Sequence, residues 1–164
     1  MIGKVLWHIV YFFARLNPIR LVPAVHIDRK QNTVRIAARP NIEPDSQQWF
    51  SWLDRPYNQE FYVTEDGIYD EVEIFTAHKR KDGVWWAHDD DSTDKIVLRL
   101  GKSPDVTKQK IISVSNEIQA QNAKKALPKI EKILNSNIGR NNQQIFQKLK
   151  EEAEEAISRT KSEQ

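Results

Sequence analysis

Lys79, Arg80 and Lys81 stand just before Trp85 and Trp86, with Asp82-Gly83 between them. Cations beside flat rings are what a single-stranded nucleic acid needs: the cations neutralise phosphate and the ring faces stack on bases. An Asp-Gly pair between two strand-like runs predicts a type I′ turn, because both central residues take positive φ. With a two-residue loop, Lys81 opposes Val84, Arg80 opposes Trp85, Lys79 opposes Trp86 and His78 opposes Ala87. A second basic set comes from Arg29 and Lys30 in a short polar loop and Arg35 just after it. The candidate nucleic-acid-binding residues are therefore Arg29, Lys30, Arg35, Lys79, Arg80, Lys81 and Trp85. Lys108, Lys110, Lys124, Lys125, Lys129 and Lys132 add a helical series that tracks phosphates if they share a face, and is a solvated surface if they do not.

Other chemistry is weaker. His78, His88, Glu73 and Asp89 are general acid–base groups if the fold gathers them. The acidic run Asp89-Asp90-Asp91 through Asp94 offers hard oxygen ligands for Mg²⁺ or Ca²⁺. It fails the EF-hand pattern, since Asp94 stands where Gly is required and Leu100 where Glu is required. There is no P-loop, dinucleotide-binding Gly fingerprint, HExxH helix or G-x-S-x-G elbow. No catalytic residue, metal ligand or cofactor is assigned.

Charge is unevenly spread along the 164 residues. Residues 1–40 hold seven bases against one acid, residues 41–100 six against fourteen, and residues 101–164 twelve against eight. The segments are thus +6, −8 and +4. Basic ends around an acidic middle suit an anionic partner, unless the acids neutralise the bases within the fold. The absence of Cys excludes disulfide frameworks, thiolate zinc sites and Cys nucleophiles, and fits a cytoplasmic chain.

The elements that position these groups follow from periodicity. Residues 1–16 read as an amphipathic helix with Lys4, His8, Tyr11 and Arg15 on a narrow polar stripe. Only ten residues separate Lys4 from Arg15, short of the roughly 20 that a spanning helix needs. A core helix is the reading taken, with an interfacial membrane anchor as the alternative and a signal peptide as the third, disfavoured by Arg15, Arg20 and the lack of an A-x-A site. Pro18 and Pro23 introduce an extended stretch, and alternation through Val25, Ile27, Val34 and Ile36 reads as a hairpin. Asp45 or Ser46 caps a short helix whose Trp49, Phe50, Trp52 and Leu53 suit a plug at one end of a sheet. Strands follow near 60–64, 70–79, 84–87 and 96–100. Ser103-Pro104-Asp105 starts a helical region. Pro128 is expected to kink that helix or begin the next. Ile145, Phe146, Leu149, Ala153, Ala156 and Ile157 form one stripe of a last helix, which must bury it on other helices, the sheet or a second chain.

The expected fold is α+β: an antiparallel sheet or small barrel of about six strands over 22–100, with an N-terminal helix and a helical C-terminal region. Residues 1–101 form the β-rich domain and 102–164 the helical region, a possible subdomain. The first function considered is a non-enzymatic, nucleic-acid-binding accessory protein. The second is a structural or adaptor subunit that meets partner chains, or a second copy, through aromatic and amphipathic-helix surfaces. The third is a metal-dependent hydrolase using the acids at 88–94.

Overall fold

The computed structural model describes residues 23–31, 33–36, 42–66, 71–89, 95–136 and 142–161. The expected N-terminal helix over residues 1–16 lies outside them. The elements in chain order are β1 (Ala24–Asp28), β2 (Thr33–Ile36), α1 (Gln47–Asp54), β3 (Glu60–Asp66), β4 (Glu71–Lys79), β5 (Val84–Asp89) and β6 (Ile96–Lys102). A 3₁₀ turn (Ser103–Asp105), α2 (Lys108–Leu134) and α3 (Gln143–Lys161) complete the α+β fold.

The six strands form one open sheet in the order β2-β1-β3-β4-β5-β6. It is mixed rather than wholly antiparallel: β1 and β3 run parallel, with Val25 beside Val63. The reason lies in the connection. After β2 the chain passes through α1 at one end of the sheet and re-enters beside β1, in the same direction as β1. The outermost strands β2 and β6 do not meet, so the sheet does not close into a barrel. The end holding Asp28, Asp66, Glu71 and Asp89 is here termed the upper end; Glu60, Lys79, Val84 and Lys102 mark the lower.

One face of the sheet carries the core. Val25, Val63 and Phe75 form one row across it, and Phe61, Ala77 and Ala87 another. Ile111, Val114 and Ile118 of α2 cover these rows at spacings of three and four. The aromatic plug forms as expected. The Ser46 hydroxyl caps α1 by accepting from the Trp49 N–H at 3.1 Å. Trp49 and Trp52 stack at 5.5 Å, and Phe61 joins them to Trp85 through a ring separation of 5.1 Å. The Trp49 indole donates to the Val106 carbonyl at 2.6 Å, fastening the plug to the approach of α2. Asp45, at φ 70°, turns its carboxylate to accept from the Lys108 backbone N–H at 2.7 Å. That contact satisfies a first-turn donor of α2.

Two expectations are corrected. The β4–β5 turn is a three-residue loop, not a two-residue one. The Arg80 N–H donates to the Val84 carbonyl at 2.9 Å, and Gly83 alone takes positive φ, at 77°. This is the pattern of a tight turn followed by a left-handed Gly. The extra residue shifts the register by one, so Lys79 opposes Trp85 and His78 opposes Trp86. Of the two alternatives at Pro128, a kink or a new helix, the new helix does not form: α2 runs through it from Lys108 to Leu134. Leu127 and Ile130, on either side of it, pack against α3, which holds the segment helical despite the lost N–H.

The core also crosses the 101/102 junction. Val106, Ile111, Val114 and Ile118 belong to the sheet's own cluster, while a separate cluster forms around Ala123, Ala153 and Ala156.

Candidate functional site

Of the seven expected nucleic-acid contacts, Arg29 is engaged most fully. Its Nε pairs with the Glu65 carboxylate, Nη1 donates to Asn116 Oδ1 at 2.8 Å, and Nη2 donates to Gln119 Oε1 at 3.0 Å. The Gln119 amide in turn donates to Glu65, and Arg159 of α3 donates to Gln119 at 3.3 Å. The guanidinium therefore ties the β1–β2 loop to α2 with its fork filled. Lys30 and Arg35 are exposed, and Arg35 stands across from His26.

At the other hairpin, Lys79 donates to the Leu53 carbonyl at 2.8 Å and lies 5.6 Å from the Trp85 ring centre. Trp85 is 0% exposed, so it has no face to offer a base. Trp86 is half-buried on the opposite, outer face, and the exposed Arg80 lies over its ring at 4.2 Å. Lys81 is exposed at the tip. Arg99 faces Trp86 from β6. A three-residue loop with its Gly in third place was the signal that could have distinguished Trp86 from Trp85.

The two basic tips do not converge. Residues 29–31 follow the upper end of β1, whereas residues 80–83 join the lower ends of β4 and β5. The seven residues of β3 between these levels span about 20 Å.

The outer sheet face holds three of the four His residues. His26 is 6% exposed, with Nδ1 2.9 Å from Glu71 and 3.2 Å from the Thr64 hydroxyl. The His78 and His88 rings meet edge-on at 5.2 Å, and Glu60 lies 3.9 Å from His78. Glu73 accepts from the Thr76 hydroxyl at 2.7 Å. Asp89 is on the other face and accepts from Asn122 of α2 at 2.6 Å. His88 and Asp89 are neighbours in sequence but face opposite sides of the sheet. Among the described residues no group of three or more His, Asp or Glu is placed to hold a metal ion. The acids at 90–94 lie outside the described residues.

The remaining feature is the α2–α3 hairpin. Asn122 meets Asp89 at the upper end of β5, so the rest of α2 extends beyond the sheet. Twelve further residues at 1.5 Å each carry it about 18 Å outward. The helix positions facing the sheet then change character. Ile111, Val114 and Ile118 give way to Asn122, Lys125, Lys129 and Lys132 along the same side. This change is legible in the sequence once the end of the sheet is known.

α3 returns alongside α2 rather than on the sheet. Ala123, Ala153 and Ala156 allow the two helices close approach. Leu127, Ile130 and Ile157 are only partly covered, and Ile145 is 47% exposed. Two helices can enclose one seam between them, but each leaves a flank of its apolar stripe open.

No protein-family model, curated protein or solved structure matches this chain. Among the described residues no helix is long and apolar enough to cross a membrane.

Proposed function

We propose that this chain is a non-enzymatic structural or adaptor subunit, whose projecting α2–α3 hairpin is the surface on which another chain packs. The observation that carries the reading is the half-covered apolar flank of that hairpin. Ile130, Ile133 and Leu149 remain partly exposed and Ile145 is about half exposed. A pair of helices extending into solvent gains most by meeting further helices, which complete the enclosure of the stripe. A cytoplasmic setting accords with the lack of Cys. The test is the native size of the full chain in its own cell extract. It is expected to run well above its 19.2 kDa, and Ile145→Asp is expected to return it to monomer size. A chain that runs as a monomer in the extract overturns the reading.

A second reading, nucleic-acid contact, is favoured at one place only. Arg80, Lys81, Trp86 and Arg99 gather at the lower end of the outer face. This patch predicts weak, strongly salt-dependent binding of a single-stranded oligonucleotide, reduced by Arg80→Ala with Lys81→Ala. Binding that is absent or indifferent to salt removes it.

A further inference from the structure

The two legs of the hairpin differ in sign. Residues 123–136 of the outgoing leg hold four Lys and one Glu, and residues 145–158, level with them on the returning leg, hold two Lys and four Glu, with Arg159 and Lys161 following. Among the described residues, the ion pair between the legs joins Lys150 to Glu131 at 3.2 Å. It uses the minority charge of each of these two segments: a Lys of the acidic one and the Glu of the basic one. Among the described residues, no ion pair across the hairpin joins Lys124, Lys129 or Lys132 on one leg to Glu151, Glu152 or Glu155 on the other.

The flanks of the hairpin can be assigned. At about 100° per residue, Gln119, Ala126, Ile130 and Ile133 of α2 fall within about 60° of one another. On α3, Arg159, Glu152, Ile145 and Leu149 fall within about 80°. The Gln119–Arg159 hydrogen bond places both sets on the same flank, and the Lys150–Glu131 pair marks the opposite one. The first flank is therefore apolar in its middle. Lys129 borders it on the α2 edge and Glu152 on the α3 edge. Because residue 131 is level with residue 150 and the helices are antiparallel, Lys129 and Glu152 also stand level.

We propose that the occupant of this flank is a second copy of the chain, related by a two-fold axis, forming a four-helix bundle; this rests on the adaptor reading above. Each α2 lies along the α3 of the other copy. Ile130, Ile133, Ile145 and Leu149 form the centre, and Lys129 of each chain meets Glu152 of the other. Because Lys129 and Glu152 stand level on opposite edges, that pair is complementary to itself under a two-fold rotation, so one contact generates the other; Lys148 and Arg159 share the α3 edge with Glu152 and Glu155, so the match is confined to this level. A partner of a single charge sign would match only one edge. Like-charge contacts in the wrong orientation supply the discrimination.

The experiment is light scattering and sedimentation on the purified full chain at micromolar concentration. The wild type is expected to be a dimer. Lys129→Glu, and separately Glu152→Lys, are each expected to weaken dimerisation by about tenfold or more, as like charges then face one another. Mixing the two variants is expected to restore the dimer as a mixed pair. Circular dichroism checks that each variant keeps its helices, which these largely exposed positions favour. A wild type that stays monomeric, or a mixture that fails to restore pairing, overturns the proposal. If the purified chain is monomeric while its extract form is large and sensitive to Ile145→Asp, the partner is a different chain; this inference then falls and the adaptor reading stands. If the extract form is also monomeric, both fall.

Discussion

Trp85 and Trp86 are consecutive, yet they occupy opposite faces of the sheet. Trp85 is wholly buried beside Phe61, while Trp86 lies half-buried on the outer face beneath Arg80, 4.2 Å from its guanidinium. The division follows from alternation along β5 and from the three-residue turn that sets its register. It gives one indole to stability and leaves the other for the surface.

Substitution of the two rings therefore has unequal effects. Trp85→Ala is expected to cost about 3–5 kcal/mol, because it opens a cavity inside the aromatic cluster. Trp86→Phe is expected to be neutral or slightly stabilising. The Trp86 Nε1–H is buried with no hydrogen-bond partner, and an unmade bond of that kind costs about 1–3 kcal/mol. Urea unfolding of both variants checks the contrast; equal losses would refute it.

Glycine requirements should also separate. Gly83→Ala is expected to cost about 1–2 kcal/mol for its left-handed backbone alone, since open space surrounds the added carbon. Gly101→Ala is expected to cost more. Its φ of 115° is strained for any side chain, and the new Cβ would lie 2.6 Å from the Asp105 Cβ. Thermal melts of the pair rank the two effects.

Arg29→Ala should act on stability before it acts on any ligand. It leaves the partly buried Glu65 carboxylate, Asn116 and Gln119 without the guanidinium that joins them. A loss of about 1–3 kcal/mol is expected. Lys30→Ala, at an exposed neighbouring position, is expected to change stability by less than about 0.5 kcal/mol. Denaturant midpoints of the two variants decide whether this tip is structural or free for binding.

Pro128→Ala restores a backbone donor inside α2 at an exposed position. An interior Pro costs a helix about 3 kcal/mol, so the variant is expected to protect amides over 124–134 by up to that amount. Hydrogen exchange measures it. Unchanged protection would mean that packing against α3 has already absorbed the defect.

Much of this molecule is written in local pattern. Alternation at Val25, Ile27, Val34 and Ile36 marks the first hairpin, Ser46 caps the helix it was expected to cap, and the Trp49–Leu53 cluster is apolar enough to require burial. These features depend on neighbours within a few residues, where periodicity and capping chemistry act. The placement of the charges is different. Whether Arg29 points to solvent or into Glu65, and whether the tips at 29–31 and 80–83 meet or lie at opposite ends, depend on strand order and direction. Those are set by contacts between residues distant in the chain, such as the parallel pairing of Val25 with Val63. A single residue added to a turn also exchanges the faces of a whole strand, so local composition named an indole at 85–86 but left its side undecided. The lysines of α2 follow the same logic. Their spacing is a property of the sequence, and their exposure arises only because the sheet ends beside Asn122 while the helix continues.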